Sequence, residues 1–241
     1  MGRSPEKMPE VLISLVIPAH NEEKRILATL EKTVAYLSAR YPFEIIVVND
    51  HSSDATRRLV EDFSGKNPAV RMLDNPGPRG KGVSVRHGVL ASAGKYVLFS
   101  DADLSTPIEE FEKFLPELEK GAEVVIASRQ VPGARIKGPQ PLLRRLMGKI
   151  FRVIRRSIAV PEIRDTQCGF KCFERNAALR IFSGQQLTGF VFDVEILIIA
   201  KKCGYKIKEM PVTWTDSPES KLGLLDPLRM LVELIKIRGH N

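Results

Sequence analysis

The first half of the chain repeats one pattern. A short apolar run rich in β-branched residues is followed by a polar cluster, and then by apolar residues at helical spacing. Residues 12–17 form the first run, which ends at Pro18. Asn21, Glu22 and Glu23 read as a helix cap with acidic first-turn residues. Ile26, Leu27, Leu30, Val34 and Leu37 then recur three or four apart, as one face of a helix requires. Residues 44–49 predict a second strand, and Ser53 or Asp54 starts a helix carrying Leu59, Val60 and Phe63. Residues 70–73 predict a third strand, followed by a Gly/Pro-rich loop over 75–82 and a helix over 83–91. Residues 96–100 predict a fourth strand. Thr106-Pro107-Ile108-Glu109 reads as a capping box with Pro at the first helical position. That helix runs to about Lys120, where Gly121 stops it, and residues 124–127 predict a fifth strand. Continuous apolar strands alternating with amphipathic helices predict an α/β fold, its mostly parallel sheet covered by helices on both faces.

A chain of 241 residues with 43% hydrophobic and 27% charged residues suits one soluble domain with a sizeable core. We read a single domain over 1–241 and expect no spanning helix, because no apolar run reaches about 18 residues. The N-terminal residues lack the apolar core of a signal peptide and fit a myristoylation pattern poorly. Cys168, Cys172 and Cys203 are odd in number and lack zinc spacing. Cys168 and Cys172 are read as buried reduced thiols, which points to a reducing compartment.

Ligands in open α/β sheets bind beyond the carboxyl ends of the strands. Three polar clusters fall there: Pro18-Ala19-His20-Asn21-Glu22, Asp50-His51-Ser52-Ser53-Asp54, and Asp101-Ala102-Asp103. The last has two carboxylates one residue apart on a turn, a pair that can approach a hard divalent cation. Mg²⁺ is commonly held by one or two carboxylates together with substrate phosphates and water. Gly80-Lys81-Gly82 is a candidate diphosphate clamp, in which glycines allow close backbone approach and Lys81 supplies a point charge. The same glycines also fit a plain surface turn. Neither a Walker loop nor a dinucleotide fingerprint is present.

Net charge is +8, yet residues 124–161 hold nine Lys or Arg and no acid, so the rest of the chain sums to about −1. Within this stretch Leu142, Leu146, Ile150, Val153 and Ile154 can line one helical face, with Arg144, Arg145, Lys149, Arg152, Arg155 and Arg156 around it. That pattern suits an interfacial helix on an anionic membrane. A solvated basic helix packed on the core is the plain alternative. Phe151 alone interleaves the charges, so nucleic acid is not an expected partner. Residues 227–237 form a second amphipathic candidate. Further along the chain, Asp165 and the pair Asp193 and Glu195 are carboxylates in apolar surroundings. Each could act as a general base or pair with a buried Arg. Asp193 and Glu195 lie two apart, so on a helix they do not share a face.

Taken together, these residues resemble family 2 glycosyltransferases of the GT-A fold. Val16 to Glu22 (VIPAHNE) is similar to that family's opening nucleotide-binding motif, and Val47-Val48-Asn49-Asp50 with Ser52-Ser53-Asp54 to its second. Asp101-Ala102-Asp103 is similar to its metal motif and Ser128-Arg129 to its Ser-Arg pair. Within the family, Arg164 to Lys171 (RDTQCGFK), Phe192-Asp193-Val194-Glu195, Trp214-Thr215 and Ser220-Lys221-Leu222 resemble dolichyl-phosphate β-glucosyltransferases. Dolichyl-phosphate mannosyltransferases are similar, but less so. The likeness covers about residues 12–225. Leu104-Ser105-Thr106 after Asp103 departs from both patterns. We also expect no N-terminal anchor of the kind the resemblance associates with the eukaryotic glucosyltransferases.

The resemblance implies site roles. Pro18, Ala19, Asn21, Glu22 and Asp50 would contact the nucleoside. Lys81, Asp101 and Ala102 would lie at the diphosphate, and Asp101 and Asp103 would hold Mg²⁺ or Mn²⁺. Arg129 and Arg144 would meet an acceptor phosphate, while Asp165 and Asp193 are the candidate catalytic residues, as general bases. Residues 10–128 would form the nucleotide-sugar part, and 129–241 the acceptor and membrane-facing part with basic amphipathic helices. The implied reaction transfers a hexose from UDP-glucose, or alternatively GDP-mannose, to dolichyl or polyprenyl phosphate. It would run on a protein held peripherally at the cytoplasmic membrane face. A family 2 enzyme with a soluble acceptor and a non-catalytic basic adaptor are the competing readings. The adaptor has no chemical need for both Asp101 and Asp103.

Overall fold

A computed structural model describes residues 11–138 and 160–216. The chain runs β1 (Ile13–Ala19), α1 (Ile26–Ser38), β2 (Phe43–Asn49), α2 (Thr56–Ser64), β3 (Val70–Asp74), α3 (Lys81–Leu90) and β4 (Tyr96–Ser100). Next come a 3-10 turn (Ile108–Lys113), α4 (Leu115–Glu119), β5 (Val124–Ser128) and β6 (Arg135–Lys137). The last third adds β7 (Phe170–Glu174), α5 (Arg175–Gly184), α6 (Phe192–Lys202), β8 (Ile207–Pro211) and β9 (Thr213–Thr215).

Seven strands form one sheet in the order β3-β2-β1-β4-β7-β5-β8. All neighbours are parallel except β7, which runs antiparallel to both β4 and β5. β6 and β9 pair in parallel as a separate ribbon. The mostly parallel sheet and its two helical layers are as the strand pattern predicts.

Successive strand residues point to opposite faces, and this sorts the apolar runs into two cores. Ile13, Leu15, Ile17, Ile45, Val47, Leu98, Val125, Phe170 and Cys172 pack with Ile26, Leu30 and Leu37 of α1, Val60 of α2, Phe111 of the 3-10 turn and Phe114 just after it. Val16, Ile46, Val48, Val97, Phe99, Val124, Ile126 and Phe173 pack on α3, α5 and α6 through Val85, Val89, Ile181, Phe182, Phe192 and Leu197. Both faces are dry, so the strands need no polar alternation. Among the described residues no helix is long and apolar enough to cross a membrane. Cys168 and Cys172 are buried and free, and Cys203 is exposed and free.

Several local expectations are corrected. Asn21 does not cap α1, which starts at Ile26. Asn21 takes φ 54°, a conformation Asn tolerates. Its side-chain oxygen accepts the Ser53 amide at 2.8 Å and the Asp54 amide at 3.4 Å, pinning the loop after β1 to the loop after β2. Thr106-Pro107-Ile108-Glu109 forms no capping box. Pro107 is extended at the cap position without a side-chain bond, and a 3-10 turn follows instead of a regular helix. Glu109 pairs with Lys32 at 3.4 Å, and Thr106 Oγ1 lies 3.6 Å from Cys168 Sγ. β1 continues through Pro18, opposite Val48. This is tolerated because the β1–β4 pairing stops at Val16–Phe99, so β4 asks no donor of Pro18. Beyond that point β1 and β4 part, and the crevice between them is where the strand order reverses.

Candidate functional site

The crevice is framed by the ends of β1, β2 and β4. The Asp50 amide donates to Ala19 O at 2.7 Å, tying two of these ends together. Asp50 is buried, and its carboxylate accepts Asn75 Nδ2 at 2.6 Å and the Gly80 amide at 3.1 Å. His20 Nδ1 lies 2.6 Å from Asp50 O. Glu22 is also buried. Its amide donates to Thr56 Oγ1 at 2.6 Å, and Arg25 Nε donates to its carboxylate.

The turn after β4 is held on all sides. Thr29 Oγ1 donates to Ala102 O at 2.6 Å, and the Ser105 amide donates to Asp103 Oδ1 at 2.9 Å. Leu104 adopts φ 46°, which gives this turn its tight reversal. Lys81 Nζ meets Asp101 Oδ1 at 2.6 Å, and Arg25 Nη1 lies 4.0 Å from Asp103 Oδ2. Burial opposes the charge on Lys81, but the carboxylates of Asp101, Asp193 and Asp103 outweigh it and hold the ammonium above the ordinary lysine range. The Asp101 and Asp103 side chains stay 38% and 21% exposed, so both remain open to a ligand. Among the described residues no group of three or more His, Cys, Asp or Glu converges. Two open carboxylates on one turn are a hard-oxygen donor set short of a full shell. That fits Mg²⁺ or Mn²⁺ completed by phosphate oxygens and water.

Gly80 and Gly82 turn out to serve a different purpose from the expected clamp. Gly82 lies in the first turn of α3, and its amide donates to Thr188 O at 2.8 Å. A β-carbon on Gly80 would overlap Thr188 O, and one on Gly82 would overlap Leu187 O. The close approach is made by a strap over residues 185–191, which is itself held by Glu195 accepting the Gln186 and Leu187 amides at 2.9 and 2.8 Å. With both glycine amides engaged, Lys81 contributes through its side chain.

Arg129 follows β5 and grips the buried Asp165. Nε and Nη2 reach the two carboxylate oxygens at 2.7 and 2.9 Å, and the Arg129 amide adds a third bond at 2.9 Å. The guanidinium also lies 5.3 Å from the Trp214 ring. Burial would raise the Asp165 carboxyl, but Arg129 prevails and holds it below the usual carboxylate range. Of the two options left open for Asp165, pairing with an arginine is the arrangement present. Asp193 starts α6, is 2% exposed and pairs with the fully buried Lys171. Glu195 points elsewhere, as their spacing predicts. Arg144, the basic segment 142–160 apart from Val160, and the amphipathic segment 227–237 lie outside the described residues.

Sequence reasoning missed Asn75, Gly169, Lys171 and the strap as parts of the site. Lys171 had a signal, since a lysine inside the apolar run Phe170-Lys171-Cys172-Phe173 implies a buried charge needing a partner. The strap had none, being about a hundred residues distant from the glycines it crosses.

Known proteins share this sequence pattern and fold. The sequence model of glycosyl transferase family 2 matches residues 14–182. A dolichyl-phosphate beta-glucosyltransferase of Trichomonas vaginalis is 39% identical, with 95% of this chain and 71% of that protein covered. Those of Saccharomyces cerevisiae and Homo sapiens are each 34% identical, over 95% and 89% of this chain and 75% and 70% of theirs. Among solved structures, glucosyl-3-phosphoglycerate synthase of Mycobacterium tuberculosis with Mn²⁺, UDP and glucosyl-3-phosphoglycerate superposes with TM-score 0.69. Its identity is 21%, covering 95% of this chain and 80% of that one. Mannosyl-3-phosphoglycerate synthase of Rubrobacter xylanophilus gives TM-score 0.70 at 21% identity, covering 95% and 74%. The family match and these relatives agree: the chain belongs to glycosyl transferase family 2 and is a glycosyltransferase.

Proposed function

We propose that this enzyme transfers glucose from UDP-glucose to dolichyl or polyprenyl phosphate, working peripherally at the cytoplasmic face of a membrane. The observation that carries the reading is the adjacency of two unlike sites. Asp50, Lys81, Asp101 and Asp103 suit a nucleotide-sugar, while Arg129, which follows β5 two strands from β4 and is held by the same loop whose Gly169 abuts Asp101, suits a phosphate acceptor. Relatives named for this reaction match most of the chain.

In this reading an oxygen of the acceptor phosphate attacks the anomeric carbon as the bond from that carbon to the diphosphate breaks, with inversion. A phosphate monoester has its second pKa near 6 and is mostly a dianion at neutral pH. It therefore needs orientation more than deprotonation. Arg129, fixed by Asp165, presents a planar fork to it. Lys81 offsets negative charge at the diphosphate end. A Mg²⁺ or Mn²⁺ at Asp101 and Asp103 would neutralise charge gathering on the departing diphosphate. The basic segment 142–158 would hold the enzyme beside a lipid-embedded acceptor, each cation contributing roughly 1 kcal/mol near an anionic surface.

The test is release of UDP from UDP-glucose with a short polyprenyl phosphate, with Mn²⁺ or Mg²⁺ and with chelator. Turnover lost on chelation is expected. A thermal-shift panel that includes GDP-mannose checks the donor, and stabilisation by GDP-mannose alone would reassign it. Flotation with anionic liposomes at low and high salt checks membrane contact. Absence of binding at low salt would remove the peripheral docking.

A further inference from the structure

Lys171 is the one lysine or arginine among the described residues whose side chain is 0% exposed. It sits on β7, between Phe99 of β4 and Ile126 of β5. Its Nζ donates to Cys168 O at 2.8 Å and to Asp193 Oδ1, and lies 5.2 Å from the Phe99 ring. Burying an ammonium is costly even when it is paired, and an apolar side chain would often pack there as well. The charge therefore serves something besides packing.

That something is the position of Asp193. One carboxylate oxygen is taken by Lys171. The other makes no hydrogen bond among the described residues, and it is not one of the polar atoms sealed from solvent without a partner. The ammonium of Lys81, which rests on Asp101 at the diphosphate end of the crevice, lies 5.9 Å from the ring of Phe192, the residue before Asp193. Two Lys–Asp pairs thus stand in series, and a donor with its diphosphate at Lys81 and Asp101 would carry its hexose toward Asp193. Through Cys168 O, Lys171 also braces the loop in which Gly169 abuts Asp101 and Asp165 holds Arg129.

We propose that Lys171 is a positioning residue, fixing one oxygen of Asp193 so that the other receives a hydroxyl of the donor hexose. The proposal rests on the nucleotide-sugar reading of the site. Removing the cation loosens the sugar contact more than the nucleotide contacts, which Lys171 reaches only indirectly through Cys168 O.

The experiment compares binding of UDP and of UDP-glucose, each with Mn²⁺, by calorimetry. The variants are Lys171→Met, Asp193→Asn and the double variant, with the thermal midpoint recorded for each. Losing a hydrogen bond to a charged group lowers affinity about tenfold or more. In Lys171→Met the affinity for UDP-glucose relative to UDP is expected to fall by about that factor, with UDP itself nearly unchanged. Asp193→Asn should match it, and the double variant should lose no more than either. If Lys171→Met does not fold, the double variant, which strands no buried charge, takes its place. Restored folding with lost sugar preference supports the proposal. Restored folding with wild-type preference overturns it, as does an unchanged preference in folded Lys171→Met. A wild-type chain that binds neither ligand, nor GDP and GDP-mannose, overturns the donor site itself and this inference with it. A failure confined to the Lys171 variants leaves the donor site standing.

Discussion

Gly169 packs against the Asp101 carboxylate so closely that a β-carbon there would overlap both oxygens. The Asp101 amide also donates to Gly169 O at 3.1 Å. The segment leading into β7 therefore sets one wall of the turn after β4, and only a glycine leaves room for the carboxylate. Gly169→Ala is expected to displace Asp101 while the fold survives. Removing such a supporting contact typically weakens metal binding about 10–100-fold. An electron-paramagnetic titration with Mn²⁺ checks this.

Asp101→Ala and Asp103→Ala each delete one of the two open carboxylates. Turnover is expected to fall by about 10²–10³, the usual scale for losing one electrostatic stabiliser of a transition state. Steady-state assay at saturating Mn²⁺ checks it, and thermal midpoints should change little because both side chains are partly exposed.

Asp165 gives a pH prediction. Its folded carboxyl lies below the unfolded value of about 3.9. The stabilisation is therefore fully present above about pH 4 and is lost as pH falls through the lower folded value. Asp165→Asn should flatten the acid limb of a stability-versus-pH curve. At neutral pH, leaving Arg129 without its partner should lower stability by about 3–5 kcal/mol, the scale for breaking a buried pair. Urea unfolding at several pH values measures both.

Gly82→Ala pushes a methyl group into Leu187 O and toward Phe192. Overpacking of this kind costs about 1–3 kcal/mol. Because the next side chain is Lys81, the strap's retreat should also raise KM for the donor. Denaturant unfolding and donor titration separate the two effects.

The sequence made the strand-end chemistry legible and left the long-range supports hidden. Asp50, Asp101 and Asp103 could be read because each closes an apolar run, and strand ends in a parallel sheet share one edge. The purpose of Gly80 and Gly82 could not, since what crosses them is Leu187 and Thr188. Asn21 looked like a cap because Asn is a good one, and only the loop after β2 explains its positive φ. Asp165 and Asp193 stood out as acids in apolar settings. Their partners Arg129 and Lys171 are fixed by tertiary packing that no local pattern carries.

The antiparallel placement of β7 has a consequence for biosynthesis. β4 and β5 are complete by residue 128, but the strand that joins them spans Phe170–Glu174. A nascent chain extended only to β6 leaves one edge of β4 and both edges of β5 unpaired, each a template for unwanted pairing. The sheet that frames the crevice therefore cannot be finished during the first two-thirds of translation. Any product truncated before β7 is a four-stranded sheet with β5 left unpaired, rather than a smaller enzyme.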